Sequence, residues 1–96
     1  MTVRITCINK DNGNHENPYV SITNLGWLEE STGKRGRSTR LEMYNFIKDG
    51  NYAYVVDPKD SSKAYLETRV SAAGTKYVRT KPDDTRRDNL LSLPEC

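Results

Sequence analysis

Apolar and polar residues alternate along several stretches of this chain and recur at helical spacing along one. Val3, Ile5 and Cys7 fall on one side of an extended segment and Arg4 and Thr6 on the other, the pattern of a half-buried strand. Asn9-Lys10-Asp11-Asn12-Gly13-Asn14 predicts the turn that ends it, with Asn-Gly supplying positive φ angles. Asn17-Pro18 prolongs the irregular part, and residues 19–22 read as a short helical turn or as extended chain. Leu25-Gly26-Trp27-Leu28 predicts a second strand. It runs into residues 29–38, a loop or the return of a hairpin, with Gly33 and Gly36 as breakers. Residues 52–56, 64–70 and 75–80 then read as an antiparallel meander, joined by a Pro-containing turn and by Ser71-Ala72-Ala73-Gly74. Along 64–70 the inward set is Ala64, Leu66, Thr68 and Val70, with Tyr65, Glu67 and Arg69 outward.

Helical spacing is confined to residues 39–49. Thr39-Arg40-Leu41-Glu42 matches a capping box, in which the hydroxyl accepts from the third helical N–H and the Glu side chain reaches back. Leu41, Tyr44 and Ile47 make an apolar stripe that Met43 and Phe46 widen, and Asp49-Gly50 ends it. So short a helix must be held by packing on a sheet.

The end of the chain is apolar where most small domains fray: Leu90, Leu91 and Leu93 lie within four positions. Such a tail docks on its own sheet or on another chain. The expected core comprises Val3, Ile5, Leu25, Trp27, Leu41, Tyr44, Ile47, Tyr54, Val56, Leu66, Val70, Val78 and the tail leucines. The expected architecture is α+β: a single domain over residues 1–96, a largely antiparallel sheet of about five strands and one helix packed on one face.

Composition narrows the class. With 34% apolar and 29% charged residues and a net charge of only +2, the chain is neither disordered nor strongly basic. No apolar run approaches the ~20 residues that span a bilayer. Met1–Cys7 lacks the charged-then-apolar layout of a signal peptide, so a cytoplasmic setting without membrane association is expected. In that setting Cys7 and Cys96 are expected as free thiols, Cys7 as a small core residue; a bridge between them is the lesser alternative.

Candidate chemistry is sparse. His15, the one histidine, stands beside an Asn-rich turn, and no spacing pairs it with Cys7 or Glu16 as a nucleophile and base. Cys7, His15 and Cys96 are three soft ligands where a structural zinc site uses four, so no metal is expected. Asp83, Asp84 and Asp88 lack calcium-loop spacing, and Arg86 and Arg87 lie beside them. Residues 33–39 are glycine-containing and basic, but the lysine precedes the second glycine, which is wrong for a phosphate-binding loop. What remains is charge: Lys34, Arg35, Arg37 and Arg40 put four cations in seven residues ahead of a helix N-terminus, a candidate anion site. The plain alternative is a solvated basic loop, offset by Glu29 and Glu30. Tyr65 and Tyr77, near Arg69, Lys76 and Arg79, are candidates for a stacking or partner surface; the alternative is half-buried strand packing.

Val3-Arg4-Ile5-Thr6-Cys7-Ile8, the helix ending at Gly50, Gly74-Thr75-Lys76-Tyr77-Val78-Arg79-Thr80 and the closing Asp88-Asn89-Leu90-Leu91-Ser92-Leu93-Pro94-Glu95-Cys96 together resemble a family of small bacterial domains of unknown function. Its members end in a similar Asp-Asn-Leu-Leu-x-Leu-Pro-x-Cys tail. The resemblance implies the domain boundary and a place for Cys96 in the motif; it implies no activity, cofactor or catalytic residue. The expected function is therefore a non-enzymatic protein-interaction or accessory module, binding a protein partner or itself and needing no cofactor. The alternative is an anion- or nucleic-acid-binding module using Lys34, Arg35, Arg37 and Arg40.

Overall fold

The computed structural model describes residues 1–11, 19–56, 63–81, 90–91 and 93–96. Six strands and one helix follow in the order β1 (Thr2–Lys10), β2 (Ile22–Glu29), β3 (Lys34–Thr39), α1 (Arg40–Lys48), β4 (Tyr52–Val56), β5 (Lys63–Val70) and β6 (Lys76–Thr80). They form one sheet in the order β3-β2-β1-β4-β5-β6, antiparallel at every pair except β1 with β4. The sheet thus has six strands rather than the five expected, and the extra one is β3, the hairpin return. A strand pair joined through a helix can be parallel because the helix carries the chain back to its starting end, which is what α1 does between β3 and β4.

The capping box is present as read. Thr39 Oγ1 accepts from the Glu42 N–H at 3.1 Å, and the Glu42 carboxylate accepts from the Thr39 N–H at 2.9 Å. Asp49 caps the other end, and Gly50 at φ 98° turns the chain out of the helix, a conformation that favours glycine. The buried stripe is Met43 and Tyr44 with Phe46 and Ile47 partly covered; Leu41, assigned to the core, is 50% exposed. The helix is rotated from the expected face because Met43 drops onto the sheet beside Val3 and Trp27.

The core lies between α1 and one face of the sheet. It takes in Val3, Ile5, Ile8, Ile22, Leu25, Ala53, Val55, Ala64, Leu66 and Val78, and Leu90 of the tail, which is fully buried. On β4, Tyr54 is buried as expected, but on the face away from the helix; Ala53 and Val55 supply the main cluster, and Val56, also expected in the core, is only partly buried. Val70, at the far end of β5, is 54% exposed, beyond the reach of the helix.

Two irregularities set the phase of β1 and β2. Ile5 pairs with Trp27 and Cys7 with Gly26, so Thr6 is an extra residue on β1; Asn9 pairs with Asn24 and Lys10 with Ile22, so Thr23 is extra on β2. The first bulge swaps the alternation, and Ile8, not Cys7, faces the core. Cys7 is carried to the sheet face away from the helix, where it is bonded to Cys96. The expectation of two free thiols, with Cys7 in the core, is therefore overturned by the extra residue that two-residue periodicity does not register.

The apolar tail docks on its own sheet. β4 pairs with β1 only over Thr2, Val3 and Arg4, which leaves the rest of that edge of β1 open. The tail occupies it: the Ile8 N–H donates to Pro94 O at 3.0 Å and the Cys96 N–H to Ile8 O at 3.3 Å, in a parallel bridge at Ile8 and Glu95.

Candidate functional site

α1 covers one face of the sheet; among the described residues no helix covers the other, the open face, and strand register decides what it displays. Arg35 pairs with Leu28, Leu28 with Arg4, Arg4 with Tyr54 and Tyr54 with Tyr65. Residues paired across strands share a face, so these five form one row across β3, β2, β1, β4 and β5. At about 4.8 Å per strand the row is about 19 Å long. It runs from an edge guanidinium to an aromatic cluster.

At the aromatic end, Tyr65 packs against Tyr54, with centroids 5.7 Å apart, and edge-on against Tyr52 at 6.3 Å. Tyr52 is 59% and Tyr65 39% exposed. Between them, with Thr2 and Lys81, lies a shallow notch of about 250 Å³. Lys63 Nζ stands 4.8 Å from the centre of the Tyr54 ring, a cation on an aromatic face. The Tyr54 hydroxyl donates to the Glu30 carboxylate, which also faces Arg4 Nε at 3.7 Å. Burial first, then the hydrogen bond to Glu30 and its charge, push the Tyr54 phenol up to about 12.

At the basic end stand Arg35 and Arg37, two residues apart on edge strand β3 and both exposed. Neither makes an ion pair with a described residue. Arg37 pairs with Gly26, and over Gly26 lies the Cys7–Cys96 disulfide, so Arg37 and the disulfide are neighbours on the open face. β3 holds its place with little apolar sequence because Trp27 covers its glycine. The indole lies over Gly36, where a Cβ would stand 2.3 Å from the ring, and Trp27 Nε1 donates to Ser38 Oγ at 3.1 Å.

The four residues of the expected anion site are thus divided by the fold. They do not share a loop: Lys34, Arg35 and Arg37 are on β3. Lys34 is on the same side of the strand as Gly36, away from Arg35 and Arg37. Arg40 opens α1, and its guanidinium donates to Lys76 O at 3.1 Å and to Val20 O, which ties the start of β6 to the segment before β2. Arg40 is therefore a structural clamp, and the two arginines held together in the open are Arg35 and Arg37.

The expected partner surface is on β5 and β6. Tyr65 is exposed as described. Tyr77 is half-buried and stacked on Tyr19 at 6.2 Å. Arg79 donates to the Glu67 carboxylate at 2.9 Å, and Arg69 completes that pair at 3.1 Å. The two guanidiniums outweigh the upward effect of burial and hold the Glu67 carboxyl below its ordinary value. Of the open-face residues, sequence reading did not single out Arg4, Tyr52, Lys63 or Lys81. The alternation Tyr52-Ala53-Tyr54 places the two tyrosines on one face of β4 and holds the signal for the pair.

His15, Asp83, Asp84, Arg86, Arg87 and Asp88 lie outside the described residues, so the readings built on them have no structural counterpart. Among the described residues no group of three His, Cys, Asp or Glu side chains could hold a metal ion. The two sulfurs are bonded to each other rather than presented as thiolates.

Comparison with known proteins places the chain. Residues 4–94 match the family described as protein of unknown function (DUF3892), and the chain belongs to that family. No curated protein and no solved structure matches it.

Proposed function

We propose that this DUF3892 domain is a non-enzymatic binding module, that its recognition surface is the open face of the sheet, and that the partner is anionic. The observation that supports this reading is charge segregation. Arg4, Arg35, Arg37, Lys63 and Lys81 stand on or beside the row that ends at Tyr65; the described carboxylates on that face are Glu30, beside Arg4, and Glu67, which is held by Arg69 and Arg79. The chain as a whole carries only +2, so among the described residues this face is more basic than the chain average. Such asymmetry steers and holds an oppositely charged partner.

The leading alternative, docking of a protein partner through the leucine tail, loses its best support because Leu90 is fully buried in the domain's own core. Self-association through edge strand β3 is opposed by the same arginines, since charge on an edge discourages strand pairing. No described helix is long and apolar enough to cross a membrane. The cytoplasm stands as the proposed setting, and there the state of the Cys7–Cys96 pair depends on exchange with cellular thiols.

The test is retention on immobilised heparin at about 50 mM salt, a concentration at which phosphate-type contacts are strong. Retention that a salt gradient removes, and that Arg35→Ala/Arg37→Ala shortens, is the expected result. A domain that passes through unretained at that salt overturns the reading.

A further inference from the structure

We infer that the anionic partner is a single-stranded nucleic acid, with its backbone on Arg35 and Arg37 and a base in the notch between Tyr52 and Tyr65. This rests on the binding-face reading above and adds the chemistry of the ligand. Three features of the face select it.

The first is the pairing of charge with exposed aromatic surface. A polyanion without bases, such as a sulfated glycan, uses cations alone. Here the row of cations leads to two exposed tyrosines whose edge-on contact leaves ring surface open to a planar group. Nucleobases stack on such rings whatever their sequence, and Lys81 at the edge of the notch is placed to meet the adjoining phosphate.

The second is shape. Duplex DNA is read by an element that enters a groove, usually a helix or a two-stranded ribbon. The domain's one described helix has its apolar side packed on the opposite face of the sheet. The open face presents a sheet, and a sheet with aromatic side chains suits splayed-out bases of a single strand.

The third is spacing. Arg35 and Arg37 project from one side of an extended strand and are about 6.7 Å apart along it. That is close to the separation of successive phosphates in an extended single strand. From there the row crosses about 19 Å to Tyr65, which suits a site of roughly four nucleotides, the short end of what small sheet-based domains cover.

The experiment is fluorescence anisotropy of the intact, oxidised domain with a labelled deoxythymidine oligonucleotide about 12 nucleotides long. Unlabelled single strand, duplex of equal length, heparin and an acidic peptide serve as competitors. Binding should fall with salt with a log–log slope of about −2 to −3, as three or four phosphate contacts predict for a single strand. Tyr52→Ala and Tyr65→Ala should each weaken the oligonucleotide roughly tenfold. Far-ultraviolet circular dichroism and the urea midpoint of each variant show that it is folded. Tyr52→Phe and Tyr65→Phe, which keep the ring, should restore binding.

Heparin retention without oligonucleotide binding, or oligonucleotide binding indifferent to both alanine variants, overturns this inference and leaves the binding-face reading intact. Duplex competing as well as single strand overturns it too. Acidic peptide displacing the probe as well as or better than unlabelled single strand assigns the face to a protein partner and likewise overturns it. Failure to bind any of the four removes the binding-face reading with it.

Discussion

The sulfur of Cys7 fills the space that a side chain on Gly26 would take: a Cβ at Gly26 would stand 2.3 Å from Cys7 Sγ. Cys96 Sγ would lie 3.1 Å from the same point. Glycine is needed here for space, because a bonded pair of sulfurs cannot swing aside as a flexible side chain could. Gly26→Ala should therefore destabilise the oxidised domain by about 2 kcal/mol, in the range of overpacking substitutions. In a Cys7→Ala/Cys96→Ala background the obstruction is gone and the penalty should shrink to a few tenths of a kcal/mol. Urea unfolding of the four proteins forms a double-mutant cycle, and additivity would show that Gly26 has some other role.

The disulfide closes most of the chain, its cysteines standing 89 positions apart. On the chain-entropy account a loop of that length stabilises by up to about 4.5 kcal/mol, and measured values usually fall at about 2–4. Reduction by a dithiol should lower the urea midpoint accordingly. The tail should loosen first, because its hydrogen bonds to Ile8 sit beside the bond that is cut. Hydrogen exchange at the Ile8 and Cys96 amides checks this: protection equal in oxidised and reduced protein would mean that the tail is held by Leu90 alone.

Two kinds of arginine follow from the geometry. Arg40 donates to two backbone carbonyls on different parts of the chain, and charged hydrogen bonds of that sort contribute about 1.5–3 kcal/mol. Arg40→Ala should lose about 2 kcal/mol in urea unfolding, with Arg40→Lys recovering little because a single ammonium does not reproduce the fork. Arg35→Ala and Arg37→Ala should each change stability by less than about 0.5 kcal/mol, as exposed residues away from any network do. Equal losses at all three would remove the distinction between clamp and surface.

What the sequence discloses here is what lies in local pattern. The helix with its capping box, β4, the meander of β5 and β6, and the docking of the tail follow from alternation, from Thr39 and Glu42, and from the leucines. The phase of β1 does not, since one extra residue at Thr6 reverses which side chains face the core. β3 carries no apolar periodicity at all; it becomes a strand because Trp27 of β2 covers Gly36, a contact between chain segments. The open-face row depends on the parallel pairing of β1 with β4, whose partners, such as Arg4 and Tyr54, are 50 residues apart in sequence. Arg4 and Tyr54 become neighbours only through that pairing, so the basic residues were legible and their arrangement was not.

Acid should unfasten the β5–β6 edge. Arg79 and Arg69 hold the Glu67 carboxyl below its ordinary 4.5 despite burial, which acts the other way. A carboxyl whose folded value is depressed adds stability above its unfolded value, and that stability is lost as pH falls through the folded one. Stability should therefore drop as pH falls below about 4.5, and Glu67→Gln should flatten that part of the profile while leaving a lower plateau at neutral pH. Urea midpoints collected from pH 7 downward check it; identical acid limbs in the two proteins would assign the loss to other carboxylates.

Alkali should act on the opposite half of the open face. Tyr54 titrates at about 12 against an ordinary value of 10.0, because its phenol is buried and donates to the Glu30 carboxylate. Between those values the folded domain keeps a proton that the unfolded chain gives up. The contribution is therefore complete below about pH 10 and disappears as pH rises toward 12. Ultraviolet difference absorbance should show a tyrosine ionising late, at about pH 12, and Tyr54→Phe should delete that late step. Tyr54→Phe should also reduce the loss of stability above pH 10. Glu30→Gln separates the two causes: burial remains while the carboxylate charge goes, so the late step should move part of the way back toward 10.0. A full return would make Glu30 the whole cause, and no movement would make it burial alone.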